Sequence, residues 1–200
     1  MKSSLQICLL ALLMMGCSSN SDGHKYYKFS DQAQSVEKQI GAPETPIYLD
    51  QVAILGVSNQ QAFVQFTQPN TVNIASFHFW AEHPENMLTQ LTLSYLNKRG
   101  LTIIPRTLAG DLNTTRYSLK LVVDEYAGHY EKGAILSGNW YFYKLQAGNT
   151  QLIQTKRFSF ENQLQDDGFD ALVAAHKSNW LLLLNDVEQI LTAQLNKSSK

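Results

Sequence analysis

Tyr117-Ser118-Leu119-Lys120-Leu121-Val122-Val123 is the stretch whose pattern decides the fold. Tyr117, Leu119, Leu121 and Val123 occupy every second position, the period of a strand that buries one face. Glu131-Lys132-Gly133 supplies a turn into residues 134–145, and Gly148-Asn149 supplies another into 152–160. Three extended segments joined by tight, glycine-bearing turns predict a three-stranded antiparallel meander.

Outward from the meander, the period changes on both sides. Downstream, a long helix is predicted to open near Asp167-Gly168. Phe169, Val173, His176, Trp180, Leu184, Val187 and Leu191 recur at steps of three and four, so they form one apolar stripe that should lie across the sheet. Upstream, Met87, Leu88, Leu91, Tyr95 and Leu96 mark a second amphipathic helix from Glu85, closed by Lys98-Arg99-Gly100. Residues 101–105 read as a strand after it. Before it, strands are expected near 26–29, along the whole run 47–57, and at 62–66 and 71–75. The predicted class is α+β, an antiparallel or mixed sheet with a C-terminal three-stranded meander, packed by two main helices.

The N-terminus follows a different logic. Met1-Lys2-Ser3-Ser4 precedes about a dozen mostly apolar residues ending at Met14-Met15, the basic head and apolar run of a secretory signal. A membrane-spanning helix needs roughly 20 apolar residues, and this run stops at Gly16-Cys17 before turning polar. The Gly16-Cys17 junction resembles a bacterial lipobox, in which a cysteine after a small residue is acylated and becomes the new N-terminus. No A-x-A-like cleavage site competes with it. Residues 1–16 are therefore expected to be a signal peptide, 17–25 a lipidated tether, and 26–200 a single periplasmic domain.

Cleavage would remove Cys8 and leave Cys17 as the sole cysteine, so no intramolecular disulfide is available in an oxidising compartment. Acylation gives that cysteine a role. Each buried methylene contributes about 0.8 kcal/mol, so the several palmitate-like chains of an N-acyl diacylglyceryl cysteine hold stably where one chain would not. No other cofactor is expected. Ser18 stands where bacterial sorting systems tend to read Asp as inner-membrane retention, which favours the outer membrane. The formal charge of −1 carries no basic block. That argues against nucleic acid as a partner and leaves anchoring to the lipid.

No catalytic or metal-binding set is expected. His78 and His83 lie near Glu82 and Glu85, but five residues separate them: about 140° on a helix, or opposite faces of a strand. His24 belongs to the tether, and His176 on the apolar stripe reads as a hydrogen-bonded packing histidine. No serine sits in a glycine-flanked elbow. Ser137-Gly138 falls inside a strand, where the glycine lets a ring or another backbone approach. Asp166, Asp167 and Asp170 lack calcium-loop spacing and suit a helix start instead. What stands out is aromatic density: Tyr126, Tyr130, Trp140, Tyr141 and Tyr143 crowd one hairpin. One face of a sheet is core, so the other would expose large amphipathic rings, and these five residues are the candidate interface.

Taken in order, several of these pieces resemble the ABC-type transport auxiliary lipoproteins, the PqiC/YmbA-like family of Gram-negative bacteria. The resemblance spans nearly the whole chain. It is carried by Gly16-Cys17-Ser18-Ser19 with the Tyr26-Tyr27 pair, by Trp80-Ala81 with Pro84, by Gly128-His129-Tyr130 leading to Ser137-Gly138-Asn139-Trp140, and by Asp167-Gly168-Phe169-Asp170 opening a helix that contains Trp180. Asn139 and Phe169 depart from the Glu and Tyr associated with the family.

The resemblance implies an outer-membrane lipoprotein that partners a periplasmic MCE-domain protein and an inner-membrane permease component. It also implies a role in intermembrane lipid transport and envelope integrity, with homo-oligomeric rings plausible on a symmetric partner. It carries over no catalytic residues. Two other functions fit the location: an envelope hydrolase, which would need a base among His78, His83, His129 and His176, and a periplasmic lipid-binding chaperone with a cleft between sheet and helix.

Overall fold

A computed structural model of the chain describes residues 23–30, 46–108, 116–146 and 148–198. Residues 1–22, and with them the signal segment, Cys17 and Ser18, lie outside the described residues. The elements in order are β1 (Lys25–Tyr27), β2 (Ile47–Leu49), β3 (Ala53–Ile54), β4 (Ala62–Gln68), β5 (Thr71–Trp80), α1 (Pro84–Lys98), β6 (Ile103–Pro105), β7 (Arg116–His129), β8 (Gly133–Gln146), β9 (Asn149–Asn162) and α2 (Phe169–Ser198).

The alternating stretch lies in β7, which is the axis of a mixed sheet curled into a half-barrel. β8 runs antiparallel along its full length, from Arg116 opposite Leu145 to His129 opposite Gly133, and β9 runs antiparallel on β8. On the other side of β7, three short parallel strands succeed one another: β2 beside 117–119, β3 beside 122–123 and β4 beside 128–129. β6 extends β2, while β5 and then β1 extend β4.

The run 47–57, expected as one strand, is divided. Leu49 faces Leu119 and Ala53 faces Val122, so four steps on one chain match three on β7. The mismatch leaves one residue to bulge out. The backbone amides freed at this edge find side chains of α1: Val52 N donates to Thr89 Oγ1 and Ile54 N to Glu85 Oε1, each at 2.9 Å. A helix thus covers a sheet edge that would otherwise stay open. β5 is longer than expected, reaching Trp80, and this places His78 on a strand.

α1 begins at Pro84 and keeps Glu85 in its first turn, as the helix dipole favours. Its end is a Schellman motif: Gly100 N donates to Asn97 O at 3.1 Å and Leu101 N to Leu96 O at 3.2 Å, with Gly100 at φ +91°. α2 lies over β8 and β9 and meets α1. Of the predicted stripe, Trp180, Leu184, Val187 and Leu191 are fully buried against Trp140, Phe142, Leu119 and Leu121 in one core. Each such side chain contributes about 1.5–3 kcal/mol.

Candidate docking surface

The faces of the meander are set by one irregularity. β7 and β8 pair continuously except at Asp124, where Val123 faces Gly138 and Glu125 faces Ser137. The extra residue inverts the alternation: Leu119, Leu121 and Val123 enter the core before it, and Tyr126 enters after it. Side chains tie the bulge down. Ser137 Oγ donates to Glu125 Oε2 at 3.0 Å, and Arg157 pairs with Asp124. Gly138 opposite the bulge admits both a ring and a backbone, since a Cβ there would lie 2.2 Å from Val122 O and 2.6 Å from the Phe158 ring.

This geometry corrects the predicted interface. Tyr126 and Trp140 are buried in the core, so neither is a surface residue. Even-numbered positions of β8 (Leu136, Trp140, Phe142) face the helices, which leaves Tyr141 and Tyr143 on the opposite, outer face. The Tyr126 ring packs 4.3 Å from that of His176, and burial holds its hydroxyl well above the usual tyrosine range. Burial pushes His176 down to about 3. His176 packs as expected, but its Nδ1 has no hydrogen-bond partner among the described residues, nor have Tyr126 OH, Trp140 Nε1 and Asn179 Oδ1.

Register assembles the outer face across five strands, β6, β2, β7, β8 and β9. Ile104, Tyr48, Ser118, Tyr143 and Leu152 are successive cross-strand partners, so they share one row. Lys120, Tyr141 and Thr155 form the next row. The rings of Tyr141 and Tyr143 stack at 6.3 Å, and the Arg116 guanidinium lies 5.9 Å from the Tyr48 ring. Arg106 holds one end, donating to Asp50 at 3.1 Å and to Ser118 Oγ at 3.2 Å. The surface is amphipathic: half-buried tyrosines, an exposed Leu152, and charges at the margin.

Tyr130 lies at the far end of β7, half exposed and stacked on His129 at 4.5 Å. It adjoins a small outer cluster of Val64, Ala127 and Ile135, over which Phe66 and Val72 close. The predicted hairpin cluster therefore divides into core residues, an outer tyrosine pair and a distal tyrosine. Tyr48, Ile104 and Leu152 were missed, because only strand register brings them into the row.

The histidines do not converge. His78 Nδ1 is 2.8 Å from the Tyr27 hydroxyl, and its ring stacks on Phe169 at 3.7 Å. His83 precedes α1 and approaches Glu85 at 3.8 Å. Phe169, one of the two departures from the family pattern, serves as an apolar lid on the His78 imidazole. Asn139, the other, is half-buried on the outer face beside Val122 and Arg157. Asp170 lies in the first turn of α2 and contributes, after burial, to raising the Tyr27 hydroxyl. Among the described residues, no three His, Cys, Asp or Glu side chains gather as metal ligands, and no helix is long and apolar enough to cross a membrane.

The fold is a curled sheet backed by helices on one side, with an amphipathic row on the other. The chain belongs to the ABC-type transport auxiliary lipoprotein component family, whose sequence profile matches residues 27–188. It is thus an auxiliary lipoprotein component of a transport system, not an enzyme. It is 23% identical over 176 residues to the intermembrane transport lipoproteins PqiC of Escherichia coli K12 and Shigella flexneri, covering 87% of this chain and 89% of theirs. Two solved structures share the fold. One, of an uncharacterized protein, has a TM-score of 0.67 at 19% identity over 85% of this chain and 99% of its own. The other, from Xanthomonas campestris, has 0.62 at 11% identity over 88% and 97%.

Proposed function

We propose that the chain is an outer-membrane lipoprotein, acylated on Cys17 and sorted with Ser18 behind it, that docks an MCE-domain periplasmic protein coupled to an inner-membrane permease component. In this role it serves intermembrane lipid transport and envelope integrity without catalysing a reaction. One observation carries the reading: the family match runs through almost the whole folded domain, and the relatives it reaches are named intermembrane transport lipoproteins. The outer row of Tyr48, Tyr143 and Leu152, with Tyr141 beside it, is the docking surface, since amphipathic rings combine apolar contact area with a polar handle. Repetition of the domain around a symmetric partner would place that surface in a ring.

The test is affinity capture of the acylated, tagged chain from envelopes after mild crosslinking. Recovery of an MCE-domain protein is the expected result, and repeated recovery of none overturns the reading. A lipid-carrying chaperone would hold its cargo between sheet and helix. That space is filled by Trp140, Phe142, Trp180 and Leu184.

A further inference from the structure

At the corner of the sheet where β1 pairs with β5, four rings meet on the surface. His24 lies 6.0 Å from Phe77 and 5.2 Å from Phe79, and Tyr26 lies 5.7 Å from Phe79. Tyr26 is 62% exposed and Phe77 56% exposed, while Tyr27 and Trp80, on the opposite side of the same strands, pack into the core. Single exposed apolar residues are ordinary on a protein surface, but contiguous rings mark a contact site.

The sequence says what is near. His24 is the seventh residue after Cys17, and seven extended residues reach at most about 25 Å. Any anchor at Cys17 therefore keeps this corner within that distance of the bilayer surface. The segment Gly23-His24-Lys25-Tyr26-Tyr27-Lys28 carries two exposed lysines and no acid, which suits a phospholipid headgroup layer. Tyrosine and histidine place an apolar body and a polar tip at such an interface, and phenylalanine beside them adds apolar area.

We propose that the corner formed by His24, Tyr26, Phe77 and Phe79 rests in the interfacial layer of the membrane that holds the anchor. The contact turns a flexible tether into a fixed orientation. Phe79 of β5 pairs with Ala62 of β4, three residues before Gln65, which lies beside Gly128 of β7, whereas the tyrosine row crosses β7 at 118–120, so the corner stands about 20 Å from the row along the strand direction. With the corner on the bilayer, the docking row on the same outer face stands off from that contact by this distance. This rests on the acylation of Cys17 proposed above.

The test uses the acylated chain in phosphatidylcholine vesicles with brominated acyl chains, comparing Phe77→Trp, Leu152→Trp and the unsubstituted chain. The indole added at 77 should lose at least twofold in emission relative to unbrominated vesicles, and the one added at 152 should lose none. A chain that co-sediments with vesicles but keeps the emission at 77 overturns this proposal alone. A chain that does not co-sediment, or sediments equally as Cys17→Ala, overturns the anchor and the proposal together. Emission from 77 that is already blue-shifted in unacylated, concentrated protein assigns the corner to a second copy and overturns the bilayer contact.

Discussion

The indole Nε1 of Trp180 donates to the hydroxyl oxygen of Thr92 at 3.1 Å, joining α2 to α1 inside the core, and Thr92 in turn donates to Leu88 O at 2.7 Å. Both side chains are fully buried. Thr92→Val removes the acceptor while keeping the shape. The stranded indole N–H should cost about 1–3 kcal/mol, read as a lower denaturation midpoint. Adding Trp180→Phe to Thr92→Val should cost less than the sum of the two single changes, because the unpaired donor is gone.

Gly138 has no room for a methyl group, as the 2.2 Å approach to Val122 O is to backbone. Gly138→Ala should therefore destabilise by several kcal/mol or abolish folding. The same substitution at Gly23, which has nothing within 4 Å of the added carbon, should leave the melting temperature unchanged.

His176 titrates near 6.5 when unfolded and near 3 when folded, because burial disfavours its charged form. Between those values the unfolded chain binds the extra proton. The folded state keeps its full stability above about pH 6.5 and loses it as pH falls toward 3, at up to about 1.4 kcal/mol per pH unit. Denaturation of the wild type and His176→Phe at intervals from pH 4 to 7 should show that slope only in the wild type. Parallel slopes would mean that the imidazole is protonated in place.

Tyr141→Lys and Tyr143→Lys lie on the outer face and should each change stability by less than about 0.5 kcal/mol, whereas Trp140→Ala should cost about 3–5 kcal/mol. If the outer row is the docking surface, the two tyrosine variants together should lower capture of the MCE-domain partner at least tenfold while circular dichroism stays unchanged. Capture at wild-type levels would move the interface elsewhere.

Cys17→Ala should leave the domain folded and release it from membranes, and Ser18→Asp should shift it toward the inner membrane. Fractionation of cells expressing each variant measures both. Wild-type distribution of either variant counts against the corresponding role.

Much of this molecule was legible in one dimension because the signals are local. The period-two pattern at 117–123, the turn at Glu131-Lys132-Gly133, the stripe from Phe169 to Leu191 and the glycine after Lys98-Arg99 each depend on neighbours within a few residues. They became β7, its hairpin to β8, α2 and the end of α1. Family membership was legible for a similar reason, since short ordered pieces carried it.

The faces of the hairpin were not legible, and the cause is a single residue. Tyr126 would share the outer face with Val122 had the alternation run on, and the bulge at Asp124 turns it inward instead. In β8 the run Trp140-Tyr141-Phe142-Tyr143 is aromatic at both parities, so pattern cannot say which pair is buried. Pairing with β7 and the weight of α2 decide for Trp140 and Phe142.

The same holds for surfaces built from distant segments. Tyr48, Ile104 and Leu152 join Tyr143, and His24 joins Phe77 and Phe79, only where strand register lays them side by side. Sequence by itself determined the meander, the two helices and the resemblance to a lipoprotein family, though not the break within 47–57 or the reach of β5 to Trp80. Tertiary structure decided which aromatic rings are core and which are surface, because that choice depends on backbone pairing between residues tens of positions apart.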